Sequence, residues 1–144
     1  MPNITDSPFK SISILYRKSH IWLNNACAQY HLTAAQATVI LIVCDFKVLT
    51  QDDITKRLSL DKSVIAKTVT KLEETGFLIR TSNAKDKRTY DIHPTEKAWD
   101  VYPFVKEQVD ESFRHMTQQM TEGERKEFNR LLRLAAEACV ALED

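Results

Sequence analysis

Residues 60–93 read LDKSVIAKTVTKLEETGFLIRTSNAKDKRTYDIH, and the period of their apolar positions changes partway along. Up to Gly76 the spacing is helical. Ile65, Val69 and Leu72 recur at four and three, Asp61 stands where an N-cap belongs, and Gly76 is the stop. Beyond Gly76 the period falls to two. FLIRT (77–81) and TYDIH (89–93) then read as two short strands, with the polar SNAKDK (82–87) as their loop.

Upstream, TQDDITKRLSL begins a further helix. Thr50 has the position of a cap and Asp53 that of an N3 acid, while Ile54 and Leu58 face inward. About three residues separate this helix from the next, which is the helix-turn-helix layout, and the appended hairpin makes it a winged helix. Earlier still, LTAAQATVILIVCDF carries Thr33 and Gln36 at capping-box spacing and is apolar all round, so it is expected to be buried. From Ser7 to Tyr30 a first helix is expected. Phe9, Ile12, Tyr16, Leu23 and Ala26 recur at helical spacing, and Ile14, Ile21 and Trp22 widen the apolar face beyond what one partner would hide.

Downstream of the hairpin the helical period returns from Thr95, through Trp99, Tyr102, Val105, Val109 and Phe113, and Pro103 is expected to kink or interrupt that helix. A last helix opens with Thr121 and Glu124 as another capping box and sets Phe128, Leu131, Leu132, Leu134 and Ala135 on one face. The predicted fold is therefore mainly α with a small β-hairpin wing.

Composition narrows the function. At 144 residues and 43% apolar content the chain suits one compact domain with a real core. The longest apolar run, ATVILIVC, is far shorter than the roughly 18 residues of a membrane span. The start, MPNITDSPFK, lacks the pattern of a secretory signal, so a cytoplasmic protein is expected. Two glycines exclude glycine-rich phosphate loops. No signature of a catalytic nucleophile or acid/base pair is present, and no enzyme activity or cofactor is expected.

Cys27, Cys44 and Cys139 are far apart and read as reduced thiols. Cys27 is a poor redox sensor, because no cation or helix N-terminus stands near it to favour thiolate. Cys44 and Cys139 read as packing. His20, His31, His93 and His115 are isolated in sequence, and no metal site is expected.

The neutral total hides an asymmetry. Residues 56–90 carry nine Lys or Arg against four Asp or Glu, whereas residues 91–144 carry seven against twelve. A basic middle with an acidic tail points to a local polyanion site. On the helix after Asp61, Lys62, Ser63, Ala66, Lys67, Thr70 and Lys71 lie away from the buried stripe. Small residues there permit close approach and long ones reach base edges and phosphates, as a major groove requires. Three lysines on a helix are also compatible with a plain solvated face. The hairpin loop shifts that balance: Lys85, Lys87 and Arg88 cluster at its tip, where arginine suits a minor groove, and Asp86 is placed to pair with a wing arginine and aim it.

These residues resemble the MarR family of bacterial transcriptional regulators. LDKSVIAKTVTKLEETGFLIR is similar to the family's recognition helix and first wing strand, and Asp86, Lys87 and Arg88 match its wing signature. LTAAQATVI, PTEKA and MTEGERKEFNRLLRL extend the likeness over nearly the whole chain, in family order.

The resemblance implies a homodimer interlocked through its first and last helices. It divides the chain into a dimerising N-terminal helix (1–32), a winged helix-turn-helix DNA-binding domain (33–95) and dimerising C-terminal helices (96–144). It implies that Lys62, Ser63, Lys67 and Lys71 face the major groove, that Arg88 enters the minor groove, and that Arg80 braces the wing base or touches phosphate. The chain departs from the family pattern at Lys67, where arginine is frequent, and at Pro94 and Ala98, where leucine and glycine are usual.

Family members often answer to small aromatic compounds, so such an effector is a candidate partner. Tyr16, His20, Trp22, Tyr30 and His31 are the candidate lining residues, with core or interface packing as their commoner alternative. The function expected is that of a sequence-specific duplex-DNA regulator, a repressor on a pseudo-palindromic operator. The rival is a winged-helix module that binds only protein.

Overall fold

A computed structural model describes residues 7–142. Its elements run α1 (Pro8–Cys27), a 3-10 turn (Ala28–Tyr30), α2 (Ala34–Phe46), β1 (Leu49–Thr50), α3 (Gln51–Leu58), α4 (Lys62–Glu74), β2 (Leu78–Ser82), β3 (Tyr90–Pro94), α5 (Glu96–Met116) and α6 (Glu122–Ala141). This is a winged helix-turn-helix flanked by N- and C-terminal helices.

Three helices begin as their sequences predict. The Thr33, Thr50 and Thr121 hydroxyls accept from the backbone N–H groups of Gln36, Asp53 and Glu124, whose side chains accept in return from the threonine N–H groups. Asp61 does occupy the N-cap position of α4, but its side chain makes no capping bond. The α3–α4 turn is tight because Ser59 adopts a left-handed conformation, φ 49°.

The core of residues 1–112 lies beneath the winged helix. Val39, Ile40 and Val43 of α2 meet Ile54 of α3, Ile65, Val69 and Leu72 of α4, Ile92 of β3, and Val101 and Val105 of α5, all essentially inaccessible to water. Leu23 and Cys27 are the residues of α1 that join them. Several of its other apolar side chains stay outside: Phe9 is 77% exposed, Ile12 62% and Tyr16 61%.

The sheet has three strands in the order β1-β3-β2, not the two of a bare hairpin. The two residues of β1 are too few to show alternation, yet Leu49 pairs with Ile92 and Thr50 with Asp91, which makes β3 the central strand. Pro94 is tolerated because it stands at the end of β3, opposite Leu78.

The interruption expected at Pro103 does not occur, and α5 is continuous from Glu96 to Met116. Proline removes one backbone donor, while buried Val101 and Val105 anchor the chain on both sides of it.

Residues 113–144 form a second compact unit. Within it the Phe113 and Phe128 rings stack at 6.1 Å, and the Thr117 hydroxyl donates to the Phe113 carbonyl at 2.8 Å. No residue of α6 is buried, and Leu131, Leu132 and Leu134 are 40% to 50% exposed. Cys139, expected to pack, is exposed as well. No single described helix is long and apolar enough to cross a membrane.

Candidate nucleic-acid interface

The α4 face is where its sequence placed it. Lys62, Ser63, Lys67, Thr70 and Lys71 are exposed and Ala66 is partly so, because Ile65, Val69 and Leu72 commit the opposite face to the core. Ala66, Lys67, Thr70 and Lys71 line a shallow groove of about 350 Å³ with Glu74. Val64, 41% exposed, was not anticipated among them and adds an apolar group to this polar helix. Lys62 approaches Asp52 at 3.9 Å with both side chains largely solvated, a pair of little energetic weight.

The wing tip is a constructed loop. The Asn83 side-chain oxygen accepts from the backbone N–H groups of Lys85 and Asp86, both at 2.9 Å, while its amide donates to Asp91 at 2.7 Å. The signal for Asn83 was present in its residue type, since asparagine readily closes turns through its side chain.

Asp86 then organises Arg88 as expected. Its Oδ1 accepts from Arg88 N at 3.0 Å and Nε at 3.2 Å, and Oδ2 from Nη2 at 3.4 Å. These bonds hold the Asp86 carboxyl below the usual carboxylate range. The Arg88 side chain nevertheless remains 90% exposed, and Lys85 and Lys87 stand exposed beside it. A guanidinium is thus oriented without being covered.

Arg80 is differently employed. Its Nη2 lies 2.7 Å from Glu73 Oε1 on α4, its guanidinium is 5.5 Å from the Tyr90 ring, and about a third of the side chain is accessible. It ties the wing to the helix, a role that no local spacing reveals. Arg80, Arg88 and Tyr90 also line a cavity of about 290 Å³ with Thr50, Gln51 and Asp52 from the start of α3.

The five aromatic and histidine residues do not gather at one place in the chain. The Tyr16 and His20 rings meet at 4.2 Å with their planes tilted by 38°, whereas Tyr30, in the 3-10 turn after α1, sits edge-on to Phe104 at 5.0 Å. His31 is exposed in a left-handed conformation, and Trp22 is partly buried midway.

Cys27 and Cys44 are buried, and burial raises both thiol pKa values, that of Cys44 to about 11 with Asp45 contributing. No group of three His, Cys, Asp or Glu fit to hold a metal exists among the described residues.

Comparison with known proteins gives this geometry its relatives. Residues 31–89 match the family model described as MarR family. The HTH-type transcriptional regulator BilQ of Clostridioides difficile (strain CD3) is 19% identical over 130 residues, spanning 90% of this chain and 88% of its own.

Among solved structures, a MarR transcriptional regulator from Methanosarcina mazei Go1 superposes with a TM-score of 0.87 at 24% identity, covering 93% of this chain and 96% of that one. A MarR mutant from E. coli complexed with operator DNA gives a TM-score of 0.79 at 22% identity, covering 88% and 91%. Matched over residues 31–89 by the MarR family model and over most of its length by these folds, the chain carries a winged helix-turn-helix similar to that of the MarR family.

Proposed function

We propose that this protein is a sequence-specific, double-stranded-DNA-binding transcriptional regulator, a repressor that acts in the cytoplasm as a homodimer on a pseudo-palindromic operator. The observation that carries the reading is Arg88, held on three bonds by Asp86 yet 90% exposed. A loop serving solubility needs no oriented guanidinium, whereas a minor groove attracts one. The operator-bound E. coli relative of the same fold supports it.

In this reading Lys62, Ser63, Ala66, Lys67, Thr70 and Lys71 enter the major groove. Lys85, Lys87 and Arg88 engage the minor groove and its phosphates. Asp86 aims Arg88, and Arg80 braces the wing. Residues 33–95 form the DNA-binding domain. Residues 1–32 and 96–144 build the dimer, which accounts for the apolar surface left open on α1 and α6. Two-fold symmetry then sets the half-sites about 10 bp apart, or a multiple of that.

The test is a fluorescence-anisotropy titration of duplex from the gene's own upstream region at two salt concentrations, with random duplex as competitor. Tight binding that random DNA fails to displace is the expected result. Arg88→Ala should weaken binding to all sequences and flatten the salt dependence by about one phosphate-like contact. An unchanged slope would remove Arg88 from the interface. No binding even at low salt would favour the protein-binding module.

A further inference from the structure

The C-terminal end of α4 is fastened to the first turn of α5. Three successive backbone carbonyls are involved. That of Thr75 accepts from Lys97 Nζ at 2.6 Å, that of Gly76 from the Thr95 hydroxyl at 2.6 Å, and that of Phe77 from Thr95 N at 3.0 Å. The Lys97 ammonium also lies 4.4 Å from the centre of the Phe77 ring, and its stem passes over Gly76, where a Cβ would come within 3.8 Å of Lys97 Cδ. The ammonium therefore meets the negative end of the α4 dipole and satisfies an orphan carbonyl there.

Arg80 and Glu73 tie the same end of α4 to the wing. Two attachments thus act on one helix end: one to the neighbouring strand, and one to a helix that continues into the C-terminal unit.

We propose that Lys97, with Thr95, is a positioning device that sets the angle of the recognition helix against α5 and thereby the half-site spacing the dimer accepts. The inference rests on the DNA-binding reading above. Lys97 touches no base in it and acts through the Thr75 carbonyl and the Phe77 ring just past the end of α4. Replacing the ammonium by a methionine thioether keeps an unbranched stem over Phe77 and removes the donor. The consequence should appear in spacing tolerance rather than in half-site preference, because the base-contacting face of α4 is left as it was.

The experiment uses the full-length protein. An operator is selected from a randomised duplex library, and duplexes are then made with the same half-sites set one or two base pairs closer or farther apart. Wild type, Lys97→Met and Lys97→Arg are titrated by anisotropy, with thermal unfolding followed in parallel.

Wild type should prefer one spacing. Lys97→Met should lose about two- to fivefold at that spacing, as expected for a lost helix-terminus charge contact, and much less at the others, so that its profile flattens. Lys97→Arg should restore the profile. A Lys97→Met profile identical to wild type, or one lowered equally at every spacing, would overturn the inference while leaving the DNA-binding reading intact. Wild type that shows no sequence preference would overturn both.

Discussion

Gly76 closes α4 with φ +85°, a left-handed conformation that lets the Gly76 and Phe77 N–H groups reach back to the Glu73 and Leu72 carbonyls at 3.1 and 2.8 Å. A methyl group there meets only ordinary contact, so the penalty of Gly76→Ala is conformational, about 1 kcal/mol. Chemical denaturation should read it directly. Ten residues on, Asp86 fixes Arg88 with an acid kept ionised by the arginine itself. A lowered carboxyl pKa means that the pair is fully present above the ordinary carboxylate range and is lost as pH falls through the lowered value. Asp86→Asn leaves the Arg88 charge in place but frees it. The expected outcome is weaker specific binding with an unchanged salt slope, measured beside Arg88→Ala, whose slope should fall.

Helix starts are where local sequence speaks most plainly at the scale of elements. Thr33, Thr50 and Thr121 each sit three residues before a side chain able to return the bond, and each forms a reciprocal cap. Thr33→Ala should lower stability by about 1 kcal/mol. Asp61→Ala should cost less, because Asp61 makes no capping bond; comparable losses in urea unfolding would count against this difference. Short and interrupted elements are less legible. Two residues of β1 carry no periodicity, and its pairing is fixed by β3, some 40 residues away. Pro103 breaks a local rule that the buried valines beside it override.

At the scale of the whole molecule, two helices present apolar surface that the chain leaves open. Phe9, Ile12 and Tyr16 on α1, and Leu131 and Leu134 on α6, are between 48% and 77% exposed. In the proposed dimer these faces are covered. Ile12→Glu or Leu131→Glu should then shift sedimentation from dimer toward monomer and weaken operator binding; a dimer unaffected by either would exclude these faces from the interface. The buried thiols predict a response to alkali. Cys44 has its pKa raised from 9.0 to about 11 by burial, so its unfolded form ionises first. Its contribution to stability is complete below pH 9.0 and disappears as pH rises through about 11, which denaturation midpoints across that window would record. At neutral pH a thiol reagent should reach Cys27 and Cys44 only after unfolding.

The amino-acid sequence by itself determined whatever depends on neighbours along the chain. Helix periods, capping pairs, the change to strand period at Gly76, the basic α4 face and the Asp86–Arg88 pair two residues apart are all of this kind. Tertiary structure decided what depends on residues brought together from afar. Glu73 reaches Arg80 across a turn, Lys97 reaches Thr75 from 22 residues away, and β1 completes the sheet. The same separation sets Tyr30, in the 3-10 turn, against Phe104 of α5 and away from the Tyr16–His20 pair of α1, whose helical spacing says which face they share and nothing of what lies opposite. Local propensity is written in short windows of sequence, whereas a contact between distant segments exists only once the core has packed and fixed their distance.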